Sequence, residues 1–273
     1  MSGRRKSSLV STSIAFFRMG AQATFSYPMS FVLSQLALAV EIVTFFFLNR
    51  IVSNTPIVAN NFLSFVVIGT VGQAVVTGAL RGLGSELDLA IQQGRLEMLL
   101  IEPLRWSAIP AGLALWPIVL SIGQAMIALV VGLAFGVRIA VGHLPLALPL
   151  VALGILSGLA IGILAASIRI LAKRSDPVWL VYFIVSGLMA GTAVPINVLP
   201  LPLRAISWSL PTTYVSAGLR KLLLPDAAAV YGPSGLWSSV ILAAAVIPLA
   251  VVAVLAFNRS VQVGRRLGVL AGY

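Results

Sequence analysis

Residues 146–171 read "LALPLVALGILSGLAIGILAASIRIL", with Arg169 as the one charge. An apolar run of more than about 20 residues matches the roughly 30 Å of hydrocarbon that a helix must cross. A membrane β-strand would instead alternate polar and apolar side chains over roughly ten positions. Similar windows recur along the chain, which is 59% hydrophobic and 9% charged, where an ordinary soluble domain carries about 25% charged residues. So few polar groups cannot cover a globule. The expected fold class is an all-α polytopic membrane protein.

The apolar windows place six membrane helices, at 28–48, 62–80, 109–135, 146–171, 178–195 and 236–257. Ahead of them, "LVSTSIAFFRMGAQATFSY" is too polar and short to span. It suits a helix in the interface plane or an extension of the first span. The expected organisation is an N-terminal segment over 1–27 that includes this interfacial helix, a six-helix transmembrane domain over 28–258 and a C-terminal tail over 259–273.

A net charge of +11 would suggest nucleic acid in a soluble chain. Here the distribution matters more. If the N-terminus is cytoplasmic, the inner segments hold 13 of the 18 Lys and Arg residues and the outer segments hold 5: Arg50, Arg138, Arg204, Arg220 and Lys221. Positive residues concentrate on cytoplasmic loops, which sets both termini inside the cytoplasmic membrane and removes the case for a nucleic-acid partner. Membrane lipid is the surrounding partner. The basic start "MSGRRK" is not followed by the compact apolar stretch and small-residue site of a cleaved signal.

Four of the seven acids, Glu86, Asp88, Glu97 and Glu102, fall in "SELDLAIQQGRLEMLLIEPLRW" over 85–106. This is the longest cytoplasmic loop, spanning 81–107. Leu89, Leu96, Leu99 and Leu100 share one helical stripe, so it reads as one or two short amphipathic helices. A plain connector needs only about 2 to 8 residues, so the loop reads as a docking surface.

No catalytic residue set and no metal site emerges. His143 stands alone beside Pro145, and the chain has no cysteine. Lys6, Lys173 and Lys221 follow Arg5, Ala172 and Arg220, whereas a phosphate-binding loop places glycine directly before its lysine.

An acid within a span is costly and usually functional. Glu41 reads as a cavity acid meeting a cationic or polar substrate group, or as a structural partner of Arg220, Arg138 or Arg50, or as a protonated hydrogen-bond donor. Gly154, Gly158 and Gly162 form a double small-residue repeat on the fourth span and Gly187 with Gly191 another on the fifth, patterns that let helices approach closely. Four prolines follow in 191–224, too broken to be one span. Such backbone at membrane depth must be buried in protein or line a cavity. An external re-entrant segment is expected there, the alternative being a loop lying on the surface, with Trp208, Tyr214 and Trp237 in the outer aromatic belt.

Two stretches resemble the type-2 ABC exporter permease family. In the first, Glu86, Gly94, Leu96, Glu97, Leu99, Leu100 and Pro103 match an acid, a glycine, Leu-Glu, a Leu pair and a proline. Arg95 and Glu102 stand where the family often has threonine. In the second, Ser186, Gly187, Pro195, Leu199, Pro200, Ser207, Pro211, Thr213, Tyr214, Leu219 and Arg220 follow the family's spacing. The resemblance implies a permease that dimerises with an identical or paralogous copy and binds no cofactor itself. A separate ATPase subunit, carrying ATP and Mg, would dock on the 81–107 coupling loop through Glu86, Gly94, Arg95, Leu96, Glu97, Leu100 and Pro103. The substrate path would run between the copies near spans one, two and five, where Glu41, Phe45, Tyr182, Phe183 and Pro195 are the candidates.

The leading expectation is export of a hydrophobic or amphipathic compound such as a drug, natural product or lipid. Export of a polysaccharide or glycolipid is the alternative on the same architecture, disfavoured by the 8% aromatic content. A non-transport membrane scaffold is the alternative of another class.

The charge split predicts the topology. The chain has no native cysteine, so single cysteines at Asn54 and Ser234 should react with an impermeant thiol reagent added to intact cells, and one at Gln92 should not. Labelling at Gln92 contradicts the orientation.

Overall fold

A computed structural model of the protein describes residues 9–26, 28–52, 62–92, 112–172, 178–224 and 234–266. Among the described residues there are nine α-helices and no strand: α1 (Leu9–Ser26), α2 (Pro28–Val52), α3 (Phe62–Gln92), α4 (Leu115–Ala134), α5 (Leu144–Ala172), α6 (Val178–Met189), α7 (Leu201–Ser209), α8 (Pro211–Leu223) and α9 (Gly235–Arg266). Short 3-10 turns at Val141–His143 and Ile196–Val198 precede α5 and α7.

Five helices are long and apolar enough to cross a membrane, over Phe31–Arg50, Phe62–Glu86, Leu115–Ala134, Val141–Ile170 and Gly235–Gly264. These are the first, second, third, fourth and last of the expected spans. The expected span at 178–195 contains only the 12-residue α6. At 1.5 Å per residue that is about 18 Å, well short of the hydrocarbon thickness. The helix stops because Gly191 takes φ +76°, a left-handed conformation that glycine adopts without steric cost.

A second difference lies at the other end of α3. The second span is expected to give way to a loop near residue 80, yet the helix continues to Gln92. Helical hydrogen bonds are local, and no proline lies between Phe62 and Gln92 to interrupt them. The glycines and acids at 82–88 read as loop by composition but are compatible with a helix already nucleated.

α3 is the axis of the bundle, packed by α2, α4, α5, α6 and α8. Between membrane helices there is little hydrophobic drive, so association depends on close van der Waals fit at small residues. Against α4, Gly82 meets Pro117, Gly78 meets Ser121 and Gly132 meets Val67, which makes the two helices antiparallel. Against α5, Val75 meets Gly154, the Val76 carbonyl meets Gly158 and the Leu80 carbonyl meets Gly162, so these run parallel. A β-carbon on Gly158 would overlap the Val76 carbonyl oxygen, and one on Gly162 would come within 3.1 Å of that of Leu80. The repeat expected from the sequence therefore seats α5 on the α3 backbone. α9 packs on α5 and α8, burying Leu242, Val246, Phe257 and Val261.

α1 lies against α4 through one anchor. The buried Trp116 receives the rings of Phe17 and Phe25 at centroid separations of 5.4 and 5.9 Å, and its indole N–H donates to Thr24 Oγ1 at 2.7 Å. α2 is the most exposed of the five long helices, and among its described side chains only Ile42 is fully buried.

The close fit predicts a sharp contrast between two glycines. Gly158→Leu drives a side chain into the α3 backbone and should lower stability by about 1–3 kcal/mol or more. Gly123, on α4, has open space around it, so Gly123→Ala should leave the thermal unfolding midpoint of the purified protein unchanged or raise it. Equal effects of the two would contradict the packing.

Candidate functional site

The direction of each helix follows from its neighbours on α3. α6 runs antiparallel to α3: Arg81 stacks on Trp179 at 4.8 Å, and Gln73 Nε2 donates to the Phe183 carbonyl at 3.4 Å and lies beside Gly187. α8 is also antiparallel to α3, with Val215 beside the Val75 side chain across Gly154, Ser216 against Gly72 and Arg220 against Gly69. α6 and α8 thus point the same way, and the chain between them must return. It does so through the turn at Gly191, the 3-10 turn and α7. α8 then begins beside α6, where Tyr182 Oη and Thr212 Oγ1 are 2.8 Å apart.

This return breaks the helical ladder, and side chains make good the loss. Thr192 Oγ1 donates to the Gly187 carbonyl at 2.6 Å, and Ser207 Oγ donates to that of Met189 at 2.5 Å. Thr213 Oγ1 donates to the Ser207 carbonyl at 2.5 Å and Tyr214 Oη to that of Trp208 at 2.8 Å. Arg204 Nη2 reaches the carbonyls of Asn197 at 2.7 Å and Leu199 at 3.4 Å. Ser207, Thr213 and Tyr214 of the second motif, with Thr192 and Arg204, therefore hold this segment together.

Arg220 is the feature whose burial sequence reasoning missed. Counted among the external loop charges, it is 2% exposed on the last turns of α8. Its Nε donates to the Phe65 carbonyl at 2.9 Å and its Nη2 to the Thr192 carbonyl at 2.7 Å, while the guanidinium lies 3.5 Å from the centre of the Phe65 ring. Gly69 leaves the room: a β-carbon there would overlap both Nη2 and the Thr192 oxygen. The available signal was the pairing of a motif arginine with the glycines of "GTVG" at 69–72, which only the fold brings together.

The substrate-path candidates stand on separate helices. Glu41 and Phe45 are half-buried on α2, with the Phe45 ring 6.4 Å from that of Phe62. Glu41 makes no hydrogen bond or ion pair among the described residues, and of its expected partners Arg220 bonds to α3 and the turn while Arg50 stacks on Phe46 at 5.1 Å. Tyr182 is half-buried and Phe183 exposed on α6, and Pro195 lies in the turn. Of the coupling-loop residues, Glu86 is half-buried on α3. Gly94, Arg95, Leu96, Glu97, Leu100 and Pro103 lie outside the described residues.

Gly187 faces Gln73, and Gly191 serves the turn through its backbone conformation. His143 is exposed, and no cluster of three or more metal-ligating side chains is present among the described residues.

The ABC-2 type transporter family matches residues 31–224, from the start of α2 to the residue after α8. The chain belongs to the ABC-2 type transporter family. It is thus the membrane domain of an ABC transporter, a multi-pass permease rather than a catalytic domain, and permeases of this family work with an ABC ATPase. Among curated proteins there is no significant match.

The side-chain bonds of this ABC-2 segment give a test. Thr213→Val keeps the shape but removes the buried Thr213 donor from the Ser207 carbonyl, leaving it only the Leu210 N–H, at a cost of about 1 kcal/mol. Ser209 Oγ bonds to Ala205 at the exposed surface, so Ser209→Ala should be nearly neutral. Thermal unfolding of the two purified variants checks the difference.

Proposed function

We propose that the chain is the permease subunit of an ABC exporter, moving a hydrophobic or amphipathic compound, such as a drug, natural product or lipid, outward across the cytoplasmic membrane. Two copies, identical or paralogous, form the path, and each engages an ATPase subunit that holds ATP and Mg.

The observation that carries this reading is the length of α3. At 31 residues it extends about 46 Å, beyond the roughly 30 Å hydrocarbon layer, and its excess leads into the acidic stretch at 86–102. A lever rooted in the centre of the bundle and ending at the coupling loop suits a subunit driven from the cytoplasm. The outward faces of α2 and α6 favour an apolar cargo: Val32, Leu33, Leu36 and Val40, and Leu180, Val181, Ile184 and Leu188, are all exposed.

In this reading ATP binding closes the ATPase pair, the 81–107 loop moves with it, and α3 carries the displacement into the bundle. The segment 191–224 dips into the membrane from the outer side, supported by the shared direction of α6 and α8. Six membrane-embedded segments result, with α6 and the return together occupying the fifth. α1 lies in the inner interface, held by Trp116.

The test is co-purification of the ATPase with tagged permease. Glu97→Lys and Gly94→Trp should leave membrane insertion intact. If Glu97 pairs with a buried positive group, its reversal costs about 2–5 kcal/mol, a loss of roughly 30-fold or more in association. Retention of the ATPase and of normal export by both variants would make the loop a mere connector. Stimulation of ATP hydrolysis by glycolipids alone would move the cargo to the polysaccharide class.

A further inference from the structure

The Arg220 contacts join three pieces of chain that are far apart in sequence: the outer part of α3, the turn after α6, and the end of α8. We propose that Arg220 is a positioning residue that clamps this turn to α3, so that the turn and α8 travel with α3 as one body. The proposal rests on the exporter reading for its use in transport, and it adds where the displacement of α3 is delivered.

The geometry carries this beyond ordinary packing. A guanidinium is costly to bury and is retained within membrane segments where it meets partners that also need it. Thr192 sits in irregular backbone, where a carbonyl without a donor costs several kcal/mol at membrane depth. Arg220 supplies that donor from one edge of its plane while a second nitrogen bonds to the Phe65 carbonyl and the face of the plane covers the Phe65 ring. The rigid planar fork makes the three contacts mutually dependent, which the single ammonium of a lysine cannot reproduce.

Further down the same helix pair, Ser216 packs on Gly72 and its Oγ donates to the Gly69 carbonyl at 3.4 Å. α8 is therefore fastened to α3 over two turns. At the opposite end of α3, Arg169 Nη1 donates to the Gly84 carbonyl at 3.1 Å and Arg81 stacks on Trp179. The stretch of α3 between these fixtures holds no proline, so a shift applied near Gln92 reaches Phe65 without an intervening hinge.

Loss of one charge-assisted hydrogen bond should lower the ratio of clamped to released turn by about tenfold or more. The cysteine-free chain allows spin labels at Ser85 on α3 and Val194 in the turn, with Ser85 and Leu146 as a reference pair. All three positions are exposed, and excess unlabelled permease keeps one labelled copy per dimer. Electron–electron resonance of the wild type should give one Ser85–Val194 distance, unchanged when the ATPase complex is trapped with ATP.

Arg220→Lys and Gly69→Ala should each add a second, displaced population in the permease alone, and should lower the amount exported per ATP hydrolysed more than they lower ATP hydrolysis itself. If Arg220→Lys fails to accumulate, Gly69→Ala and Phe65→Leu decide the matter. Wild-type distributions in the variants overturn the clamp, as does a Ser85–Val194 distance that shifts on ATP trapping. A permease that recruits no ATPase overturns the exporter reading, while the distances measured without nucleotide still decide the clamp.

Discussion

A buried backbone carbonyl that leaves the helical ladder must find another donor, and the organisation of this bundle follows from that constraint. The chain rises through α6, breaks at Gly191, returns through α7 and rises again through α8. Each break exposes carbonyls, and Thr192, Arg204, Ser207, Thr213, Tyr214 and Arg220 donate to them. Of these six, Arg220 also reaches α3, where Ser216 adds a longer bond to the Gly69 carbonyl. The same bonds that make the break tolerable thus fix its position against the axis of the bundle.

The axis is built on the complementary principle that close approach needs the absence of side chains. Five of the glycines on α3 and its neighbours, Gly69, Gly72, Gly158, Gly162 and Gly82, sit where a partner's backbone or ring comes within contact distance. They let α4, α5 and α8 surround α3 on three sides. α2 and α6 then present apolar residues outward, as expected of surfaces that meet lipid or a second permease.

Much of this was legible in the chain. The five long helices follow from uninterrupted apolar runs, because crossing hydrocarbon imposes a minimum length and forbids charge. The Gly154, Gly158 and Gly162 repeat announced a close helix contact, although its partner on α3 could only be seen in three dimensions. The two ends of α3 were harder. Gly82, Gly84, Glu86 and Asp88 carry the composition of a loop, yet helix continuation depends on local hydrogen bonds and on the absence of proline. The burial of Arg220 was not legible, because charge counting gives only the side on which an arginine between the fifth and sixth apolar runs falls, whereas burial here depends on Gly69 and Thr192, each far from it in sequence. The apolar run at 178–195 suggested a full span; what shortens it is a single left-handed glycine.

Under the proposed function, this ABC-2 permease and its ATPase move a hydrophobic or amphipathic compound out of the cytoplasm. Inverted membrane vesicles containing the complex test it most directly, using a fluorescent lipid analogue and a membrane-impermeant quencher added to the exposed cytoplasmic face. The account predicts that ATP increases the fraction of analogue protected from the quencher and that removing the ATPase abolishes the increase. ATP hydrolysis by the intact complex with no change in protection across a panel of amphipathic analogues, or with a decrease, would contradict it.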